Sequence, residues 1–314
     1  MCAAPAQLPR IGDINFYGLR KFTPNEILAA ARVGNGDSLP ASRVVLEDRI
    51  TQLPDVMEAQ VQSICCEADH TTLFIGIRER DSPEIDFHPA PEGKETLPEE
   101  LMTHYRQYQG ALLRSEAAAI RRDQEYFRTY AASHTARLGA VLHDAADEEH
   151  RAAAAAILEF SASKKTAADD LLSALLDADE TVRANAMRAL AAIADVARRE
   201  PALGIRISPS GFVDLLNSVV LSDRMEAVKV LLVLTERPNA AAIDLIRERA
   251  LPALAEMARW HTRSYALPPF QLLGRVAGLP DAQVNPSWDK NERETVIQKA
   301  LDSAPHRPDP GPPR

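Results

Sequence analysis

The sequence predicts a two-part chain: a small α+β domain of order β-α-α-β-β, followed by an all-α superhelical array of helix pairs. Three observations predict this. Residues 8–81 hold three runs of alternating apolar positions around two short helical ones. From Leu138 onward the apolar positions fall at helical spacing, and an Arg followed three residues later by Ala recurs at Arg151, Arg183, Arg224 and Arg263, spaced 32, 41 and 39 residues apart. Hydrophobic residues make up 46% of the 314 but aromatics only 5%, so Ala and Leu must fill the core, which favours closely packed helices.

The front domain opens with "IGDINFYGLRKF", which alternates with Ile14 and Phe16 on one face and reads as a strand. "TPNEILAAARV" begins with Thr23 as N-cap, Pro24 in the first helical position and Glu26 at the third, a capping box that opens a short helix. "GNGDSL" is a turn, and "ASRVVLEDRITQLP" a second helix with Val45, Ile50 and Leu53 toward the core. Two strands follow across "ADH". The first, "VMEAQVQSICCE", has Ala59, Val61 and Cys65 on one face; the second, "TTLFIGIRER", has Leu73, Ile75 and Ile77 on one face.

Residues 82–98 hold Pro83, Pro89, Pro91 and Pro98 among several acids and read as a Pro-rich linker. Residues 99–304 are then the helical array with its caps. Leu97 to Ser133 supplies the first cap and holds Tyr105, Tyr108, Tyr126 and Tyr130, whose rings either pack on the first repeat or offer an aromatic partner surface. Within the array, Leu171, Leu172, Leu175 and Leu176 stripe one helix and Val182, Ala186, Leu190, Ile193 and Ala197 the next, with Asp179 placed to cap the second. The unit is helix, acidic turn, helix, and it recurs around Asp147/Arg151, Asp223/Arg224 and Arg263, the last with Pro268 and Pro269 inside its second helix. Trp288 to Ala304 reads as a closing helix, and 305–314, with five prolines, as a disordered tail.

On "DADETVRANAMRAL" and its relatives, the array resembles HEAT-repeat (armadillo-type) α-solenoids. The resemblance implies that Asp147, Arg151, Asp179, Arg183, Asp223, Arg224 and Arg263 are structural, tying neighbouring turns together. It also implies that the second helices line a binding surface, with Arg188, Asp195 and Lys229 as candidates; an ordinary solvated face is the other reading of each. On "INFYGLRKFTPNEI", "GNGDSL", "ITQLPDVMEAQV" and "LFIGIRE", the front domain resembles the POTRA domains of bacterial outer-membrane transporters and barrel-assembly proteins. That resemblance implies an edge strand offered to extended polypeptides, here Met57 to Cys66, with Met57, Glu58, Gln60 and Gln62 as candidates; a plain solvated face is the other reading of those polar residues.

The formal charge of −9 argues against a broad nucleic-acid surface. No run approaches 18 apolar residues, so no span of a bilayer is expected. Three cysteines, Cys2, Cys65 and Cys66, do not make a disulfide scaffold, and neighbours on a strand are poorly placed to bond each other. "MCAAPAQLPR" has no export signal, although Cys2 before small residues resembles the start of a mature bacterial lipoprotein; an ordinary terminal cysteine is the other reading. No nucleophile elbow, phosphate loop or zinc-helix motif occurs, and no catalytic residue or cofactor is expected. His143, Asp144, Asp147, Glu148, Glu149 and His150 form the densest potential metal set, but they fall on an inter-helix turn where polar residues are ordinary, so no metal site is expected either. The expectation is a non-enzymatic interaction scaffold of the bacterial cell envelope, binding a protein or polypeptide and attached to the membrane, if at all, through a partner or lipid anchor. A cytosolic scaffold and a HEAT-like bilin lyase are the alternatives.

Overall fold

A computed structural model describes residues 10–67 and 70–304, the side chains of residues 66 and 67 aside. The expected tail over 305–314 and Cys2 lie outside the described residues. The front of the chain runs β1 (Arg10–Tyr17), α1 (Pro24–Ala31), α2 (Val44–Ile50), β2 (Val56–Glu67) and β3 (His70–Glu79). The helices that follow are α3 (Glu99–Leu113), α4 (Ala117–Asp144), α5 (Glu148–Leu158), α6 (Lys164–Ser173), α7 (Glu180–Arg199), α8 (Ser210–Leu215) and α9 (Leu221–Leu234). The last five are α10 (Ala240–Arg249), α11 (Leu251–Ala258), α12 (Arg263–Val276), α13 (Asp281–Asp289) and α14 (Arg293–Leu301).

These elements form two compact units. The first gathers Met1–Glu84 with Val213–Val228 and Asn239–Arg314; the second is Ile85–Phe212 with Lys229–Pro238. In the first unit the sheet order is β1-β3-β2, with β1 parallel and β2 antiparallel to the central β3. One sheet face carries Ile11, Ile14, Leu73, Ile75, Ile77, Ala59 and Val61 onto Ile27, Ala31, Leu46 and Ile50 of α1 and α2. The capping box at α1 forms as expected: Glu26 N–H donates to Thr23 Oγ1 and Thr23 N–H to Glu26 Oε2. Helix α2, however, is turned from its expected face, because Leu46 is buried with Ile50 while Val45 is 40% exposed.

The other sheet face is covered as well, which strict alternation does not anticipate. Asn15, Tyr17 and Phe74 are buried, and Phe74 packs edge-on to Trp260 and tilted against Tyr265. A central strand buried on both sides reads as an unbroken apolar run, and "LFIGI" is one. At the far end of β2 the register slips between Ile64 and Glu67, and Cys65 is exposed, not turned to the core with Ala59 and Val61. Cys65 is disulfide-bonded.

In the second unit α3, α4, α5 and α7 pack in succession, with α4 bent at His134. Residues 85–98, expected as a spacer, are hydrogen-bonded along this unit. His88 N–H donates to Leu176 O at 2.7 Å and Ala146 N–H to Gly93 O at 3.0 Å. Gly93 is required there, since a Cβ would lie 2.0 Å from Asp144 O. The expected closing helix from Trp288 divides instead, with Trp288 in the last turn of α13 and α14 beginning at Arg293.

Candidate functional site

Two arginine positions of the repeat work alike in the second unit. Arg151, on α5, donates Nη1 to the carbonyl of Ala145, and Arg183, on α7, donates Nη1 to the carbonyl of Asp177; each reaches back six residues over the turn that precedes its helix. Arg151 also grips the Asp177 carboxylate through Nε and Nη2 at 2.8 and 3.0 Å, a bidentate pair with both side chains buried. Asp177 therefore serves two consecutive turns at once. Asp147 and Asp179 are N-caps, accepting from Glu149 N–H and from Thr181 and Val182 N–H. Arg183 lies 4.0 Å over the ring of Phe87.

In the first unit Arg224, on α9, repeats the reach of six, from Nε to Ser218 O at 2.5 Å, and Asp223 accepts from Ser218 Oγ at 2.7 Å. Here the facing carboxylate differs. Glu256 Oε2 stands 3.7 Å from Arg224 Nη1, beyond hydrogen-bond reach, and accepts the Gly18 N–H at 3.0 Å instead. Burial pushes the Glu256 carboxyl upward, and Arg224 pulls it part of the way back. Arg263 departs further: it is exposed and pairs with Asp289 at 3.1 Å.

Arg224 and Glu256 line a cavity of about 310 Å³, also walled by Arg20, Arg78 and Arg249. The turn after β1 is fixed by two devices. Gly18 takes φ +80°, and a Cβ there would lie 2.2 Å from Ile77 O. The buried Glu79 carboxylate accepts the N–H groups of Arg20 at 2.8 Å, Lys21 at 2.9 Å and Phe22 at 3.3 Å. Beside the cavity, Tyr17 Oη donates to Val219 O at 2.9 Å and Trp260 Nε1 to Phe16 O at 3.0 Å. Sequence reading missed Gly18, Glu79 and Glu256. The signal was faint: a Gly ending a strand, and an acid closing an apolar run.

The other anticipated residues are scattered. Glu58, Gln60 and Gln62 are half-buried on β2, and Met57 is 47% exposed. Strand β2 is an edge of the sheet, and the Glu47 carboxylate accepts its Val61 N–H at 2.7 Å. Arg188 and Lys229 are exposed, Arg188 donating to Asn185 Oδ1; Asp195 is engaged by Arg198 and Arg199 of its own helix, which hold its carboxyl below the usual range. Tyr105 is buried and accepts from Asn185 Nδ2 and Gln109 Nε2, whereas Tyr126 stacks on His104 and Tyr130 on His134.

The acidic and histidine set after His143 is dispersed to separate duties. Glu149 pairs with Arg106, His150 Nδ1 accepts from Leu97 N–H, and His143 meets Asp170. Among the described residues no three of His, Cys, Asp and Glu gather as a metal set. His143 lies between Asp170 at 3.1 Å and Ser173 Oγ at 3.3 Å, a serine-histidine-aspartate order that sequence reading did not find. The Ser173 hydroxyl donates to Asp170 O at 2.7 Å, so its proton is turned away from the imidazole, and Ser173 is exposed.

No family model matches the chain, and no curated protein matches it. Solved structures similar to it include an engineered protein, 17% identical over 65% of this chain and 96% of that one, with a TM-score of 0.39. Another is a computationally designed armadillo repeat protein for modular peptide recognition, 18% identical over 65% of this chain and 100% of that one, also with a TM-score of 0.39. By its own elements the chain is mainly helical, with a small three-stranded sheet at its front and helix turns closed alike by Arg151 and Arg183. Among the described residues no helix is long and apolar enough to cross a membrane.

Proposed function

We propose that this chain is a non-enzymatic protein-binding scaffold of the bacterial cell envelope, whose front domain acts as a POTRA-like head and takes an extended polypeptide along β2. The observation that carries the reading is the edge position of β2 in the order β1-β3-β2. The Glu47 carboxylate on Val61 N–H acts as a placeholder that a main-chain carbonyl replaces when a strand is added. The helix pairs offer a second surface, on which Arg188 and Lys229 are exposed.

The test uses the whole chain, because the head shares a unit with helices from the other end of the sequence. With Val61 N–H directed outward, strand alternation directs Ser63 N–H outward too. Ser63→Pro therefore removes an edge donor while sparing the ladder to β3. Unstructured peptides on an array are expected to lose retention in this variant. Equal retention by the variant, with the sheet intact by circular dichroism, sinks the edge-strand reading. Cell fractionation with protease protection of intact cells tests the location, and a purely cytosolic protein removes the envelope from the proposal.

A further inference from the structure

The first unit contains a built but unclaimed cationic cavity, distinct from the β2 edge. It measures about 310 Å³, at the lower end of the range of small-molecule sites, and is lined by Arg20, Arg78, Arg224 and Arg249 against the single carboxylate of Glu256. Three of the four arginines have other employment. Arg20 donates to Asp81 O, Arg78 pairs with Glu58 and Glu84, and Arg249 lies 3.4 Å from Asp214. Arg224 is engaged too, through Nε to Ser218 O and with its guanidinium 4.6 Å over the Tyr17 ring, but it is 2% exposed, its Nη1 has no hydrogen-bond partner, and the Glu256 carboxylate stands 3.7 Å from that atom. The homologous position in the second unit shows what this guanidinium lacks, because Arg151 holds Asp177 through two bonds at 2.8 and 3.0 Å.

No protein acceptor meets that Arg224 N–H, and the group that a guanidinium fork fits best is a planar or tetrahedral oxyanion. Glu256 pairs with Arg224 in charge but makes no hydrogen bond to it, because its Oε2 stands 3.7 Å away and is held there by Gly18 N–H, whose turn is locked by Glu79. We infer that this cavity binds a small molecule through an oxyanion group, a carboxylate or a phosphoryl, that accepts from Arg224 Nη1, with the Arg20, Arg78 and Arg249 side chains on the surrounding wall. Glu256 faces the same space and opposes the anion, so it limits the affinity.

Titration of the full chain with inorganic phosphate and with succinate, followed by calorimetry at constant ionic strength in chloride, tests the assignment. Saturable binding of either probe is expected, and the probe that binds identifies which oxyanion the site prefers. Glu256→Gln keeps an acceptor for Gly18 N–H, removes the opposing charge, and is expected to tighten binding. Arg224→Met is expected to weaken it at least about tenfold, as loss of a hydrogen bond to a charged group implies. Should that variant not fold, Arg249→Gln, at a partly exposed position, decides by the same readout with a smaller loss. No saturable heat with either probe in the wild type and in Glu256→Gln overturns the inference. So does binding that chloride reproduces, or binding that the folded arginine variants leave unchanged.

Discussion

Trp260 donates its indole N–H to the carbonyl of Phe16 across 244 positions of sequence, and its ring meets Tyr17 at 5.8 Å and Phe74 at 5.1 Å, edge-on in both cases. The second face of the sheet is closed by this residue and its neighbours. Trp260→Ala is expected to cost about 3–5 kcal/mol, the range for a large aromatic removed from a core. Trp260→Phe, which keeps most of the ring area and loses the hydrogen bond, is expected to cost about 1–2 kcal/mol. Urea unfolding followed by circular dichroism measures both, and equal small losses would separate the sheet from these helices energetically.

Asp177 accepts two bonds from Arg151 with its carboxylate and one from Arg183 with its carbonyl. Asp177→Ala leaves the Arg151 charge buried and is expected to destabilise the second unit by about 3–5 kcal/mol. The double variant Arg151→Met/Asp177→Leu removes charge and partner together and should recover most of that loss. A single variant costing under about 1 kcal/mol in the same unfolding assay would mean that water reaches the pair.

Gly93→Ala places a methyl 2.0 Å from Asp144 O and must displace the segment hydrogen-bonded at His88 and Ala146. An overpacking cost of about 1–3 kcal/mol is expected. Limited proteolysis should show new cleavage within 85–98; an unchanged digestion pattern would show that the segment shifts without detaching.

The Tyr105 hydroxyl is pushed up to about 12, mainly by burial, against the ordinary tyrosine value of 10.0. The unfolded chain therefore releases this proton first as the pH rises. Its contribution is full below about pH 10 and falls away toward about pH 12, by roughly 2 kcal/mol. Urea midpoints at about pH 9, 10 and 11 should decline more steeply in the wild type than in Tyr105→Phe. Parallel pH profiles would show that the phenol is wetter than its packing indicates.

Ser173 donates its proton to a helix carbonyl, so a fluorophosphonate that labels activated serines should leave it unmodified. Stoichiometric labelling abolished by His143→Ala would restore an enzymatic reading.

Local structure was legible wherever the cause was local. Thr23 and Glu26 announce their capping box, Asp147 and Asp179 their caps, and Arg151 and Arg183 their repeat, because each bond spans only a few residues. The face of α2 was misread because two adjacent valines, Val44 and Val45, precede Leu46, and seven helical residues give too few turns to choose among them. The cavity was illegible for a different reason. Its walls come from the turn after β1, the end of β3 and helices α9 to α11, so no window of sequence contains them.

By itself, then, the sequence determined most element types, the caps and the positions Arg151, Arg183 and Arg224 that close their turns, since short-range hydrogen bonding and apolar spacing dictate them. Only the tertiary structure decided that Arg151 finds Asp177 at bonding distance while Arg224 finds Glu256 at 3.7 Å. The same arginine and the same reach back six residues give a satisfied strut in one place and an unsatisfied buried donor in the other. The difference lies in what the next packed layer presents to the guanidinium, and a layer is assembled from residues far apart in the chain.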